Sequence, residues 1–220
     1  MLTRLLTVLF ALALSAACSG QGGGGQATPS GPELMTKTAE AMKTVKTARF
    51  AISTEGTPQV PVRKGDGRIL ATGDADGTLT VDLFGQLTEI SFVLVGDTVH
   101  FKGPTGSFQT MSRASLLQAL NGYDPSLLLD PAKGVPLLLA GAGDPKVEGE
   151  EGGAYKVTAK LPQQQLKTLV PGVSQDVTAQ MLVDKASSRL TKVTLPLQGG
   201  SVTVTLSDYD APVTITPPAG

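Results

Sequence analysis

Few residues of this chain carry groups suited to chemistry, and they are too few to assemble a catalytic constellation. Cys18 is the sole thiol and His100 the sole imidazole among 220 residues. A hydrolytic nucleophile needs a base within hydrogen-bond reach and a third group to orient that base. Cys18 ends an apolar run, and His100 stands next to Phe101 in an alternating stretch, the ordinary setting of a structural or exposed strand histidine. Zinc ligands in the number a structural site needs are missing. Asp74 and Asp76, in GDADG, resemble the start of a calcium loop, but the closing acid at the required spacing is lacking, so a tight turn is expected. Gly22–Gly25 follows no strand and cradles no phosphate. Glu148, Glu150 and Glu151 read as the solvated end of a hairpin. No catalytic residue, metal or cofactor is expected, and a lipid hydrolase would lack its nucleophile and base.

The chemistry left to Cys18 is set by what precedes it. The chain opens MLTRLLTVLFALALSAAC: Arg4 supplies a positive start, Leu5–Leu14 an apolar core of about ten residues, and Ser15, Ala16 and Ala17 a small-residue cut site. That core is too short for a bilayer of ~30 Å, which needs about 20 apolar residues. It reads as a signal peptide over residues 1–17. A cysteine directly after Ala16 and Ala17 resembles the bacterial lipobox, whose cysteine is diacylated and begins the mature chain; Ser15 stands where leucine is commoner. With one cysteine no disulfide forms within the chain. Two acyl chains anchor stably where one binds marginally, which places the protein on the cell membrane, at its extracytoplasmic face.

Residues 18–29 continue SGQGGGGQATP after Cys18, a composition that cannot pack and serves as a flexible tether. The folded part is then one domain over 30–220. Loss of Arg4 with the signal leaves 17 bases against 19 acids, which excludes charge-driven attraction to nucleic acid. Tryptophan is absent and Phe plus Tyr total nine, so the core is aliphatic.

The elements follow from periodicity. Ser30 and Glu33 have capping-box spacing, and Leu34, Met35, Thr38, Met42 and Val45 recur at helical intervals, predicting a helix over 31–47. Period two then takes over: Phe50–Glu55, Gly67–Thr72, Thr78–Leu83, Glu89–Leu94, Val99–Lys102 and Phe108–Met111 alternate between turn signals, with Gly73–Gly77 read as a turn. Ser112 caps a short helix reaching Leu120. Strands resume at Lys146–Glu150, Ala154–Lys160, Val177–Lys185, Leu190–Leu195 and Ser201–Asp208, with a short helix near Pro162–Thr168. About ten antiparallel strands around a central helical insertion are expected, an α+β fold whose sheet has one packed and one wet face.

The insertion organises the rest. Tyr123–Ala142 holds seven leucines or valines cut by three prolines, so one long helix is forbidden. Short helical pieces are expected instead, with Asp124 and Asp130 as N-caps and Pro125 and Pro131 just inside the starts. They must lie against the apolar sheet face, which carries Leu79, Val81, Leu83, Ile90, Phe92, Leu94, Val177, Ala179, Met181, Val183, Val202, Val204 and Leu206. Two outcomes stay open on pattern alone: a filled core, or an apolar pocket between a curled sheet and the helices. The scarcity of large aromatics and the proline-segmented insert favour the pocket.

GYDPSLLLDPAKGVPLLL at 122–139 and LSDYDAPVTITPP at 206–218, with the lipobox, tether, helix and meander, resemble the LppX/LprAFG family of actinobacterial lipid-binding lipoproteins across essentially all of 30–218. The resemblance implies a half-barrel: an antiparallel sheet wrapped about helices around a large apolar cavity, similar also to periplasmic lipoprotein carriers of Gram-negative bacteria. It implies a membrane-anchored carrier of acylated lipids or lipoglycans across the cell envelope, with a membrane lipid exporter as candidate partner and a monomeric state. By strand position the cavity wall is expected at Leu79, Val81, Leu83, Ile90, Phe92 and Leu94, faced by Leu127, Leu128, Val135, Leu138 and Leu139, with Met42 and Val45 as further candidates. The rival reading is a structural or signalling lipoprotein with a filled core, acting through surface contacts with an envelope partner.

Overall fold

The computed structural model describes residues 28–83, 85–119, 125–170 and 173–219. Cys18, most of its tether, Leu120, Tyr123 and Asp124, on which expectations above fall, lie outside the described residues. Eleven antiparallel strands form a single open, curved sheet: β1 Thr47–Gly56, β2 Val62–Leu70, β3 Ala75–Leu83, β4 Gln86–Val95, β5 Thr98–Lys102, β6 Gln109–Ser112, β7 Gly143–Glu151, β8 Ala154–Leu161, β9 Val177–Asp184, β10 Leu190–Leu197 and β11 Gly200–Ser207. Their spatial order is β6-β5-β4-β3-β2-β1-β11-β10-β9-β8-β7. Two meanders therefore meet at the sheet's midline, where β1 pairs with β11 from Arg49↔Ser207 to Gly56↔Gly200. The curved α+β sheet expected from the alternation is what forms.

Both edges are blunted against further pairing. β6 has four residues. β7 breaks register twice against β8 and turns Lys146, Glu148 and Glu150 to solvent.

The helices cover the inner face. α1 spans Gly31–Lys43 and buries Leu34, Met35, Thr38, Ala39 and Met42; each large apolar side chain so buried contributes about 1.5–3 kcal/mol. The buried Thr38 hydroxyl donates to the Leu34 carbonyl at 2.8 Å, which removes its desolvation cost. The capping box expected at Ser30 and Glu33 does not form: Ser30 is N-cap by position but makes no side-chain cap bond, and Pro32 sits in the first turn. The helix also ends four residues short of 47, because β1 must begin at Thr47 to pair with β2 and β11. α2 spans Arg113–Ala119, capped as expected by the Ser115 N–H donating to Ser112 Oγ at 3.1 Å. A 3₁₀ helix over Pro125–Leu129, then α3 at Val135–Ala140 and α4 at Gln163–Leu169, complete the set.

Within the insertion, Asp130 caps a turn rather than a helix. Its Oδ1 accepts from the N–H groups of Ala132 and Lys133 at 2.8 and 3.0 Å. Pro125 opens the 3₁₀ helix as expected, while the start of α3 carries Pro136, not Pro131, with Gly134 as N-cap. A Cβ on Gly134 would fall 2.2 Å from the Leu127 carbonyl oxygen, so the turn folds this tightly only with glycine.

The closing motif is a latch. Tyr209 donates its hydroxyl to the Leu190 carbonyl beneath the Arg189 guanidinium, which lies 5.2 Å from the ring centroid. Burial pushes the phenol well above its ordinary range. Asp210 accepts from the Lys46 N–H at 2.8 Å, pairs with Arg189 and donates its own N–H to the Thr47 carbonyl at 3.0 Å. These contacts tie the segment after β11 to the start of β1.

Candidate functional site: the inner face

Register assigns every strand residue to a face. Across β1–β5 the inner rows read Ala48, Ile69, Ala75, Leu94, Val99; then Phe50, Gly67, Gly77, Phe92, Phe101; then Ile52, Gly65, Leu79, Ile90. The first row is buried from end to end. Beyond it, on β3–β5, cover runs out: Leu79, Val81, Ile90, Phe92 and Phe101 are only half-buried. On β8 and β9 the same face is closed, with Val157, Ala159, Leu161, Ala179, Met181 and Val183 all 1% exposed or less, while Val193 and Leu197 of β10 and Val204 of β11 are half-buried. The expected wall is therefore one face in two conditions, packed in β8 and β9 and partly bare in β3–β5.

Of the residues anticipated for the site, Leu79 and Phe92 pack against the main core with Leu128, and Val135, Leu138 and Leu139 belong to that core. Met42 and Val45 do too, at 0% and 2% exposure. Leu94 is sealed in the first row. Leu127 is half-buried. Val81 and Ile90 lie on the right face but outside the core cluster. Leu83 closes β3 opposite Gln86, and its side chain lies outside the described residues. Sequence reasoning left out Phe101 and Met111, which register places on the same face opposite Phe92 and Val99. The alternation of β5 and β6 carried that signal.

Three glycines shape the wall. Gly67 and Gly77 face each other across β2 and β3. A Cβ on Gly67 would lie 2.1 Å from the Asp76 carbonyl oxygen, and one on Gly77, whose φ is +155°, 2.2 Å from that of Asp66. The sheet is creased there, as at barrel corners. Beside the crease, Leu79 leans into the space left by Gly65, its Cδ2 2.5 Å from where a Cβ would stand.

No ionisable side chain stands in the inner rows of β3–β5; Asp76, Asp82, Glu89, His100 and Lys102 all take outer-face register positions. At the β3–β4 tip, Asp82 binds Arg63 at 2.9 Å and accepts from the Gly85 N–H at 2.9 Å. The Arg63 hydrogen bond, then that of Gly85, holds its carboxyl below the usual range. Among the described residues no group of three His, Cys, Asp or Glu side chains is placed to hold a metal. What the described inner-face side chains of β3–β5 offer is chiefly apolar contact.

An open half-barrel with helices against one apolar face is a recognisable class of fold, and comparison with known proteins places the chain within it. Residues 31–215 match the model of the LppX_LprAFG lipoprotein family, and the chain belongs to that family. It is 28% identical over 245 residues to the lipoarabinomannan carrier protein LprG of Mycolicibacterium hassiacum, covering 100% of each. In fold it is similar to the crystal structure of LprF from Mycobacterium bovis (TM-score 0.77, 18% identity, 86% of this chain and 97% of that one). It is also similar to the crystal structure of LppX from Mycobacterium tuberculosis (TM-score 0.63, 20% identity, 84% and 99%).

Proposed function

We propose that this protein is a membrane-anchored carrier that shields the acyl chains of lipids or lipoglycans against its inner face while they cross the cell envelope. One observation supports the reading: Leu79, Val81, Ile90 and Phe92 stay half-exposed on a face that is sealed on β8 and β9. Completing the burial of such side chains is favourable by up to about 1.5–3 kcal/mol each, so a hydrocarbon chain laid on them binds without any polar code. By its place in the strand alternation Leu83 belongs to this wall, Leu94 backs it from the sealed row, and Leu127, Leu128, Val135, Leu138 and Leu139 bound it on the helical side. Cys18, once diacylated, holds the protein at the extracytoplasmic face, and the glycine-rich tether lets the domain reach a membrane lipid exporter. The carrier is monomeric, uses no cofactor and transforms nothing. The name of its LprG relative, a lipoarabinomannan carrier, supports the ligand class.

The test is mass spectrometry of lipid co-purifying with the protein from its native host. Acylated species are expected with the native chain and should be strongly depleted in Ile90→Trp, where the indole occupies the bare tract. Absence of acylated species from the native chain overturns the carrier reading. Cys18→Ala is expected to move the protein from the membrane to the aqueous fraction.

A further inference from the structure

The crease at Gly67 and Gly77 has an outer side. On that side lies a groove of about 320 Å³ whose floor is the row Gly67, Gly77 and Phe92. It runs across the strands. One wall is the next outer row, Arg49, Arg68, Asp76 and Val93; the other is Asp66, Thr78 and Ser91, ending at Phe108.

The chemistry of the walls is balanced. Arg68 Nε donates to Asp76 Oδ1 at 2.9 Å, and this bond, then the attraction of the carboxylate, raises the Arg68 pKa. Arg49 approaches Asp66 at 3.9 Å. The two guanidiniums and two carboxylates of the walls balance, and Lys102 adds one cation at the Phe108 end. The paired groups set fixed forks of donors beside acceptors, and Thr78 and Ser91 add hydroxyls that serve as either. An aromatic ring closes one end, with the Lys102 ammonium 5.5 Å from its centroid.

We propose that this groove binds a neutral oligosaccharide. Vicinal sugar hydroxyls each give and accept a hydrogen bond, which matches alternating guanidinium and carboxylate groups; the C–H face of a pyranose matches the Phe108 ring. A phosphate or sulfate ester would find both arginines already neutralised. The site lies on the opposite face from the acyl-binding wall and stands independently of the carrier reading.

Titrating the isotope-labelled protein with mannotetraose, followed by amide chemical shifts, tests it. Saturable shifts are expected at Gly67, Gly77, Thr78 and Ser91. Ser91→Trp fills the groove and is expected to weaken binding at least about tenfold. Asp66→Asn, an exposed change that spares the fold, weakens it severalfold, and Leu87→Trp, exposed on the same face beyond the groove, leaves it unchanged. Ile90→Trp, which blocks acyl uptake, should leave saccharide binding intact, so the two sites fail separately. The assignment is overturned by the absence of saturable shifts, by shifts confined to the inner face, or by equal affinity in Ser91→Trp. It is equally overturned if a sulfated tetrasaccharide or an extended peptide saturates the groove and mannotetraose does not.

Discussion

Strands β2–β6 and β7–β11 are two meanders of similar length that present alternating apolar residues to the same side of one sheet. They differ in what lies on top. α1, α3 and α4 bury Leu34, Met42, Leu139 and Leu166 in one core with Val157, Met181 and Val183. On β3–β5 that cover stops after the row of Ala75, Leu94 and Val99, and the aliphatic residues beyond are left half-bare. Alternation tells which face is apolar; it does not tell what completes it. Strands β8 and β9 are packed as core, whereas β3–β5, beyond the glycine crease between β2 and β3, leave apolar side chains half-bare.

The largest effect that would break this contrast is at the crease. Gly77→Val introduces a Cβ within 2.2 Å of the Asp66 carbonyl oxygen at a φ that branched residues avoid, and is expected to cost about 3 kcal/mol or more, or to prevent folding. Denaturant unfolding measures it, and a near-native midpoint would mean the crease is not needed. Next come matched truncations. Met181→Ala, at 1% exposure, should cost about 2–5 kcal/mol, whereas Ile90→Ala in the bare meander should cost less than about 1.5 kcal/mol. Equal losses would show that the two halves are packed alike.

A smaller effect comes from acid. The carboxyls of Asp176, Asp184 and Asp210 are held below their usual range: Asp176 chiefly by the Gln163 N–H, Asp184 by the Ser187 hydroxyl, and Asp210 by the Lys46 N–H. A depressed folded-state pKa stabilises above the unfolded value of ~3.9 and is lost as pH falls through the folded value. Hydrogen exchange below about pH 4 should therefore rise around α4, the β9–β10 turn and the latch, all belonging to the packed meander or its junction with β1. Asp210→Asn is expected to cost about 1 kcal/mol near neutrality and to flatten the acid slope. The smallest effect is Ser30→Ala: without a cap bond to lose, stability should change by less than about 0.5 kcal/mol.

Much of this was legible in the residues themselves. Leu79, Ile90, Met181 and Val204 fall on one face because the period of a strand is two, and the register bears that out. Strand interiors containing glycine were not legible. GRILAT was expected to start a strand that in fact begins at Val62, and Gly73–Gly77 was expected to be a turn although β3 begins at Ala75. Glycine marks turns and creases alike, and only the partner strand decides between them. Ser30 and Asp130 misled for a related reason: capping residues announce that a backbone end needs a partner, while packing of the neighbouring chain selects which end it is. The split between sealed and bare wall depends on where the insertion lands, which a pattern of prolines and leucines constrains without fixing.

Because the first and last strands meet at the sheet's midline, the fold is assembled from both ends of the chain inward. Each meander is a run of local hairpins, but Phe50 cannot find Leu206 until the last strand has left the ribosome or the export machinery, and closing so long a loop is the slow step. Two separately produced fragments, cut in the insertion, would need to dock along β1 and β11 and to seat α1 against α3 and β7. A growing chain thus has no finished half-barrel until β11 is free to pair with β1.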